Sequence, residues 1–130
     1  MEKPTFSKEE LEQKTISELL NLLSDAKRLK KASKIGYKDI RIIFQSEEEE
    51  GYMYEIKGSK QTYFLRIDYK NKALIHNCDD WMRRGMREYR LCKHFLRIFQ
   101  EIYEKEAKEI LIDLLLNTWS FLDSDDYLGY

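Results

Sequence analysis

The chain has 130 residues, 42% of them hydrophobic and 36% charged, with one Pro, five Gly and a net charge of −1. This length suits a single domain, 1–130, with a core of its own. The composition excludes collagen-like, low-complexity and small disulfide-scaffold classes. No apolar run reaches membrane-spanning length and the opening MEKPTFSKEE is too polar for a signal peptide, so the expectation is a soluble intracellular protein without a membrane partner.

Ser7 with Glu10 reads as a helix N-cap and capping box. Leu11, Ile16, Leu19, Leu20, Leu23 and Ala26 recur at helical spacing, with Leu22 and Leu29 widening the stripe, and Gly36 supplies a stop. One amphipathic helix over 7–35 is predicted. Alternation then places Ile40, Ile42 and Phe44 on one face, followed by Tyr52, Tyr54 and Ile56, by Tyr63, Leu65 and Ile67, and by a fourth strand from Ala73 to Asn77. Short turns between them, one a solvated tip at Glu47–Glu50, imply an antiparallel meander.

Residues 78–91 read as a loop. A long C-terminal helix is predicted over 89–122, with Leu91, Phe95, Ile98, Phe99, Ile102 and Tyr103 on its first apolar side. Its end, 110–122, is apolar almost all round and needs cover on several sides. The N-terminal helix offers one side; a protein partner or a second copy in a homodimer offers another. An acidic tail, 123–130, follows. The fold class is therefore α+β: an N-terminal helix, a meander of about four strands, a loop and a long C-terminal helix.

The chain holds two Cys and two His, and all four fall within residues 76–94: His76, Cys78, Cys92 and His94. Their order is mirrored, H-x-C and then C-x-H. Two thiolates and two neutral imidazoles are the donor set that zinc takes in a tetrahedron. Residues two apart at a strand end share a face, which suits His76 and Cys78, and the start of a helix can bring Cys92 and His94 together. Four protein ligands leave no position for water, so one structural Zn2+ is expected, pinning the meander to the helix. A Cys–His catalytic pair would need a nucleophile, a base and a cleft, and nothing nearby supplies an oxyanion site beyond loop amides; there is also no phosphate-cradling glycine loop or H-E-x-x-H. The reading is of a non-enzyme without a small-molecule substrate.

On these residues the segment from about Tyr52 to Ile102, within a meander-and-finger region over 38–102, resembles the SWIM zinc-finger family. Its pattern is C-x-C, a variable spacer and C-x-H in a strand–strand–helix frame. The resemblance places His76, Cys78, Cys92 and His94 at the four ligand positions in order. Trp81 matches the aromatic after the second ligand, and Gly85 the spacer glycine. Cys92-Lys93-His94 with Phe95-Leu96 resembles the start of the family's helix. The departures are His76, where the family has Cys, and Arg97, where some recombination-linked members carry a small residue. The resemblance implies binding to DNA or protein partners, as in accessory factors of DNA metabolism.

Charge segregation gives that implication a footing of its own. From Trp81 to Arg97 there are six positive residues, Arg83, Arg84, Arg87, Arg90, Lys93 and Arg97, against Glu88. From Lys27 to Arg41 there are seven, Lys27, Arg28, Lys30, Lys31, Lys34, Lys38 and Arg41, against Asp39. Basic patches in a near-neutral chain are the footprint of phosphate contacts, and Trp81 and Tyr89 offer faces for base stacking. The other reading is of solvated helix faces, with Trp81 packed on the loop and a finger that only rigidifies an interaction subunit.

Overall fold

The computed structural model describes residues 6–46 and 51–124. The expected hairpin tip at Glu47–Glu50 and the tail beyond residue 124 lie outside the described residues.

Where one N-terminal helix is expected, the chain forms three: α1 (Lys8–Glu12), α2 (Ile16–Leu23) and α3 (Ala26–Ala32). Each starts at its own cap. Ser7 and Thr15 both form complete capping boxes, with Glu10 and Glu18, and the Asp25 side chain accepts from the backbone of Arg28. A residue that caps takes extended backbone, so Thr15 and Asp25 interrupt the helix that the apolar spacing suggests. The second break is also held from outside. Ser24 Oγ donates to the carbonyl of Leu91 at 2.7 Å, and the Leu91 amide donates to Leu23 at 2.9 Å. Leu11, Leu19, Leu20 and Leu23 are buried as expected, whereas Leu22 faces solvent.

A 3-10 turn (Tyr37–Asp39) leads into β1 (Ile40–Ser46), β2 (Gly51–Lys57), β3 (Thr62–Asp68) and β4 (Ala73–His76), paired antiparallel in sequence order. The register aligns Tyr54 with Leu65 and Leu65 with His76; the next row of the same face aligns Tyr52, Ile67, Leu74 and Phe121. This face is buried against the helices. Between Ile42 and Phe44 the β1–β2 register shifts. The bulge moves Phe44 to the opposite face from Ile42, so the expected alternation of Ile40, Ile42 and Phe44 does not hold through the strand. Phe44 instead lies 5.0 Å from the guanidinium of Arg66.

The expected loop after β4 holds a π-helical turn (Trp81–Gly85) and a short α4 (Met86–Glu88), which ends at Tyr89 with φ 54°. The wide turn suits Gly85: a Cβ there would stand 2.7 Å from the Trp81 ring and 2.9 Å from the Arg90 carbonyl.

Where one helix is expected over 89–122, the chain forms α5 (Lys93–Glu101), α6 (Glu104–Leu116) and β5 (Ser120–Asp123). The phase of the apolar stripe explains the first break. Phe95, Ile98, Phe99 and Ile102 are buried on α5, and Ala107, Ile110, Leu111 and Leu114 on α6. The step from 102 to 107 is too long for one continuous face. β5 lies parallel beside β4 and makes a five-stranded sheet. α1 and α2 pack on α6, and α3 on α5. Ile110, Leu111, Ile112 and Leu114 are thus covered by the chain itself, whereas Leu116 on the same helix faces solvent. Among the described residues no helix is long and apolar enough to cross a membrane.

Candidate metal centre

His76 is the last residue of β4, on the core face, and is fully buried. Its position is fixed through Phe64 on the neighbouring strand. The His76 Nδ1–H donates to the Phe64 carbonyl at 2.5 Å, and the Phe64 amide donates to Asn77 Oδ1 at 3.0 Å. With Nδ1 committed as donor, Nε2 is left with a lone pair directed inward. A carbonyl behind a ligating imidazole orients metal sites in this way. His76 Nε2 lies 3.0 Å from Nδ1 of His94 on the first turn of α5.

Cys78 follows the strand end, and the Trp81 amide donates to its sulfur at 3.4 Å. Cys92 is the N-cap of α5, where the amides of His94 and Phe95 point at its sulfur. All four side chains are buried, and one donor atom from each lies within 4.8 Å of the other three. Tetrahedral Zn–N bonds of ~2.05 Å and Zn–S bonds of ~2.3 Å put nitrogens about 3.3 Å and sulfurs about 3.8 Å apart. The His–His spacing of 3.0 Å is close to what a shared ion requires. The cluster can hold one metal ion.

The electrostatics of the four groups point the same way. Hydrogen bonds from Cys92 first, then from His76 and His94, overcome burial and hold the Cys78 thiol well below its ordinary value. Burial first, then the bond to Cys78 and its charge, push Cys92 well above the ordinary thiol value. The two sulfurs therefore keep one proton between them, in a place where a dication would replace it. Burial pulls His94 below its ordinary value, which favours the neutral form that ligates. An aromatic shell of Tyr63, Trp81 and Phe95 surrounds the imidazoles.

The residues expected to contact nucleic acid divide into two groups. Trp81 is fully buried, stacked on Phe121 at 5.0 Å, with its indole N–H donating to the Leu122 carbonyl at 2.9 Å. It offers no face to a base. Arg97 donates to the Ile35 carbonyl at 2.7 Å and pairs with Glu101, and Arg90 pairs with Asp25 at 3.3 Å. These three serve the fold. Arg83, Arg84, Arg87 and Lys93 are exposed, and none has an ion-pair partner among the described residues. Tyr89 is half exposed, with its ring edge-on to Phe121.

Sequence reasoning missed the ion cluster that closes the N-terminal helices onto this centre. Arg28 takes both oxygens of Asp80, at 2.7 and 2.6 Å, and also pairs with Asp25. No spacing rule connects residues so far apart, and the only signal was an Asp two places after a ligand.

No protein-family model, curated protein or solved structure matches the chain.

Proposed function

We propose that this chain is a zinc-stabilised module of the SWIM type that binds DNA through its phosphates, as an accessory factor in DNA metabolism. The observation that carries this reading is the buried cluster of His76, Cys78, Cys92 and His94, with exposed Arg83, Arg84 and Arg87 on the segment between its two halves. Two sulfurs and two nitrogens gathered within 4.8 Å are the donor set that favours zinc among the common divalent ions. Two thiolates cancel the charge of the dication, and four protein donors leave no place for a reacting water. The metal's part is to hold β4 to α5 rather than to catalyse. His76 in the first ligand position is a change of donor that zinc accepts.

Elemental analysis of the untagged protein tests the first half of this reading; one zinc per chain is expected, and material without bound metal overturns it. DNA affinity measured across a salt series tests the second. Phosphate contacts release counterions, so affinity falls steeply as salt rises, and replacing Arg83, Arg84 and Arg87 with Ala flattens the slope. No binding to single- or double-stranded DNA at low salt removes the DNA reading and leaves the metal centre standing.

A further inference from the structure

Two basic segments far apart in the sequence meet at one place beside the metal centre. A cleft of about 200 Å³ is lined by Lys27, Arg28 and Lys31 of α3, by Cys78 and Asp80, by Arg84, and by Lys93 at the start of α5. Lys27 and Lys31 are one helical turn apart and project from the same face of α3. The charge of Asp80 is already taken up by Arg28, which also pairs with Asp25. Four cations remain, and none of them has an acidic partner among the described residues. Gathering them costs mutual repulsion, which an anion in the cleft would relieve. The volume has room for a tetrahedral anion and part of its hydration.

We infer that Lys27, Lys31, Arg84 and Lys93 form a phosphate-binding cleft against the Cys78 side of the metal centre. As a seat for a phosphate of a nucleic-acid backbone, the cleft rests on the DNA reading above; a free phosphate compound shares the same chemistry. Arg83 and Arg87 lie on the same short segment as Arg84 and are exposed, so a backbone with successive phosphates finds further cations next to the cleft. The cleft also gives α3 a part in binding. Its position depends on the metal centre, because Cys78 and Asp80 form its wall.

The test uses the full metal-loaded chain and the double variant Lys27→Gln/Lys31→Gln, with Lys57→Gln/Lys60→Gln on the β2–β3 turn as a charge-matched control. The probes are fluorescent single- and double-stranded oligonucleotides over a salt series, and inorganic pyrophosphate in a thermal-shift assay. The cleft variant should lose DNA affinity at least tenfold and uniformly across sequences. Its log–log salt slope should fall by about 1 to 2, with metal content unchanged. The control should bind as the original chain does. If the cleft variant binds DNA as tightly as the original, the inference is overturned while the DNA reading stands. If the original chain ignores DNA but pyrophosphate stabilises it and not the cleft variant, the cleft stands and the DNA reading falls. If neither probe binds, both fall.

Discussion

Arg28 holds both carboxylate oxygens of Asp80, at 2.7 and 2.6 Å, across 52 positions of sequence. Asp80 lies two residues after Cys78, so one guanidinium joins α3 to the segment that carries a member of the His/Cys cluster. The same group pairs with Asp25, the cap of its own helix, and Arg90 reaches Asp25 from the far end of that segment. The Arg28 side chain is only 12% exposed, while its partners remain partly in water. Arg28→Ala therefore leaves two carboxylates close together without their common partner, and a loss of about 1–3 kcal/mol is expected in urea denaturation. Arg28→Lys recovers only part of it, because an ammonium cannot meet a carboxylate with two parallel bonds. Denaturation midpoints of both variants equal to the original would show that the cluster contributes nothing.

If the four donors share one ion, they are not equivalent to substitution. Cys92→Ser removes a sulfur that is fully enclosed at the start of α5, and the expected result is loss of metal together with loss of cooperative unfolding. His76→Cys keeps a donor at the same strand end and should keep the metal, with lower stability because the bond to the Phe64 carbonyl is gone. Metal content by elemental analysis and thermal unfolding with and without a chelator read both. A chelator that leaves the melting temperature of the original chain unchanged would contradict a structural ion.

Gly85 is needed for space rather than for an unusual backbone angle. Its Cβ position is 2.7 Å from the Trp81 ring and 2.9 Å from the Arg90 carbonyl, and both Trp81 and the glycine are buried. Gly85→Ala must push the indole off Phe95 and Phe121 or open the π-turn, at a cost of about 1–3 kcal/mol. Arg84 adjoins this glycine, so the phosphate binding proposed for the cleft should weaken along with stability. An alanine variant with unchanged stability would mean that the turn has slack.

The α+β class, the four antiparallel strands and the gathering of two His and two Cys were legible because each rests on short-range pattern. Alternation assigned β2 and β3, and the mirrored spacing of His76, Cys78, Cys92 and His94 survived folding because all four sit at element ends that face one another. What was missed has specific causes. Thr15 with Glu18 repeats the capping box of Ser7 with Glu10, and that repeat marks a helix start which the leucine periodicity hides. The stripe of α5 and α6 slips phase between Ile102 and Ala107, where Lys105 and Glu106 would have faced the core. Asn117 and Thr118 followed by Trp119, Ser120 and Phe121 fit a strand better than a helix end, but β5 pairs with a strand more than 40 residues earlier, and local reading carries no such pairing. Charge counting found the basic residues without showing that Arg90 and Arg97 are committed to the fold, because Arg90 pairs with Asp25 and Arg97 donates to the Ile35 carbonyl, both more than 60 positions earlier.

The attachment of β5 gives a prediction in pH. Asp113 on α6 accepts from Lys72 Nζ at 2.8 Å, from the Trp119 indole at 2.6 Å and from Asn117 at 2.9 Å. Burial raises this carboxyl, but the bonds from Lys72 and Trp119 outweigh it and hold the group below its ordinary value. A carboxyl depressed in the folded chain contributes its full stabilisation above the unfolded value near ~3.9. That contribution is lost as pH falls through the lower folded value. The Trp119 indole N–H signal in NMR should therefore stay in its bonded position at neutral pH and collapse only in acid, once pH passes below the ordinary carboxylate range, as β5 leaves β4. Asp113→Asn keeps the shape but not the charge, weakens the bonds from Lys72 and Trp119, and should cost about 1–2 kcal/mol at pH 7. Its acid unfolding curve should also lose part of the slope seen in the original chain. Identical acid curves for the two proteins would show that Asp113 is not the group that fastens the fifth strand.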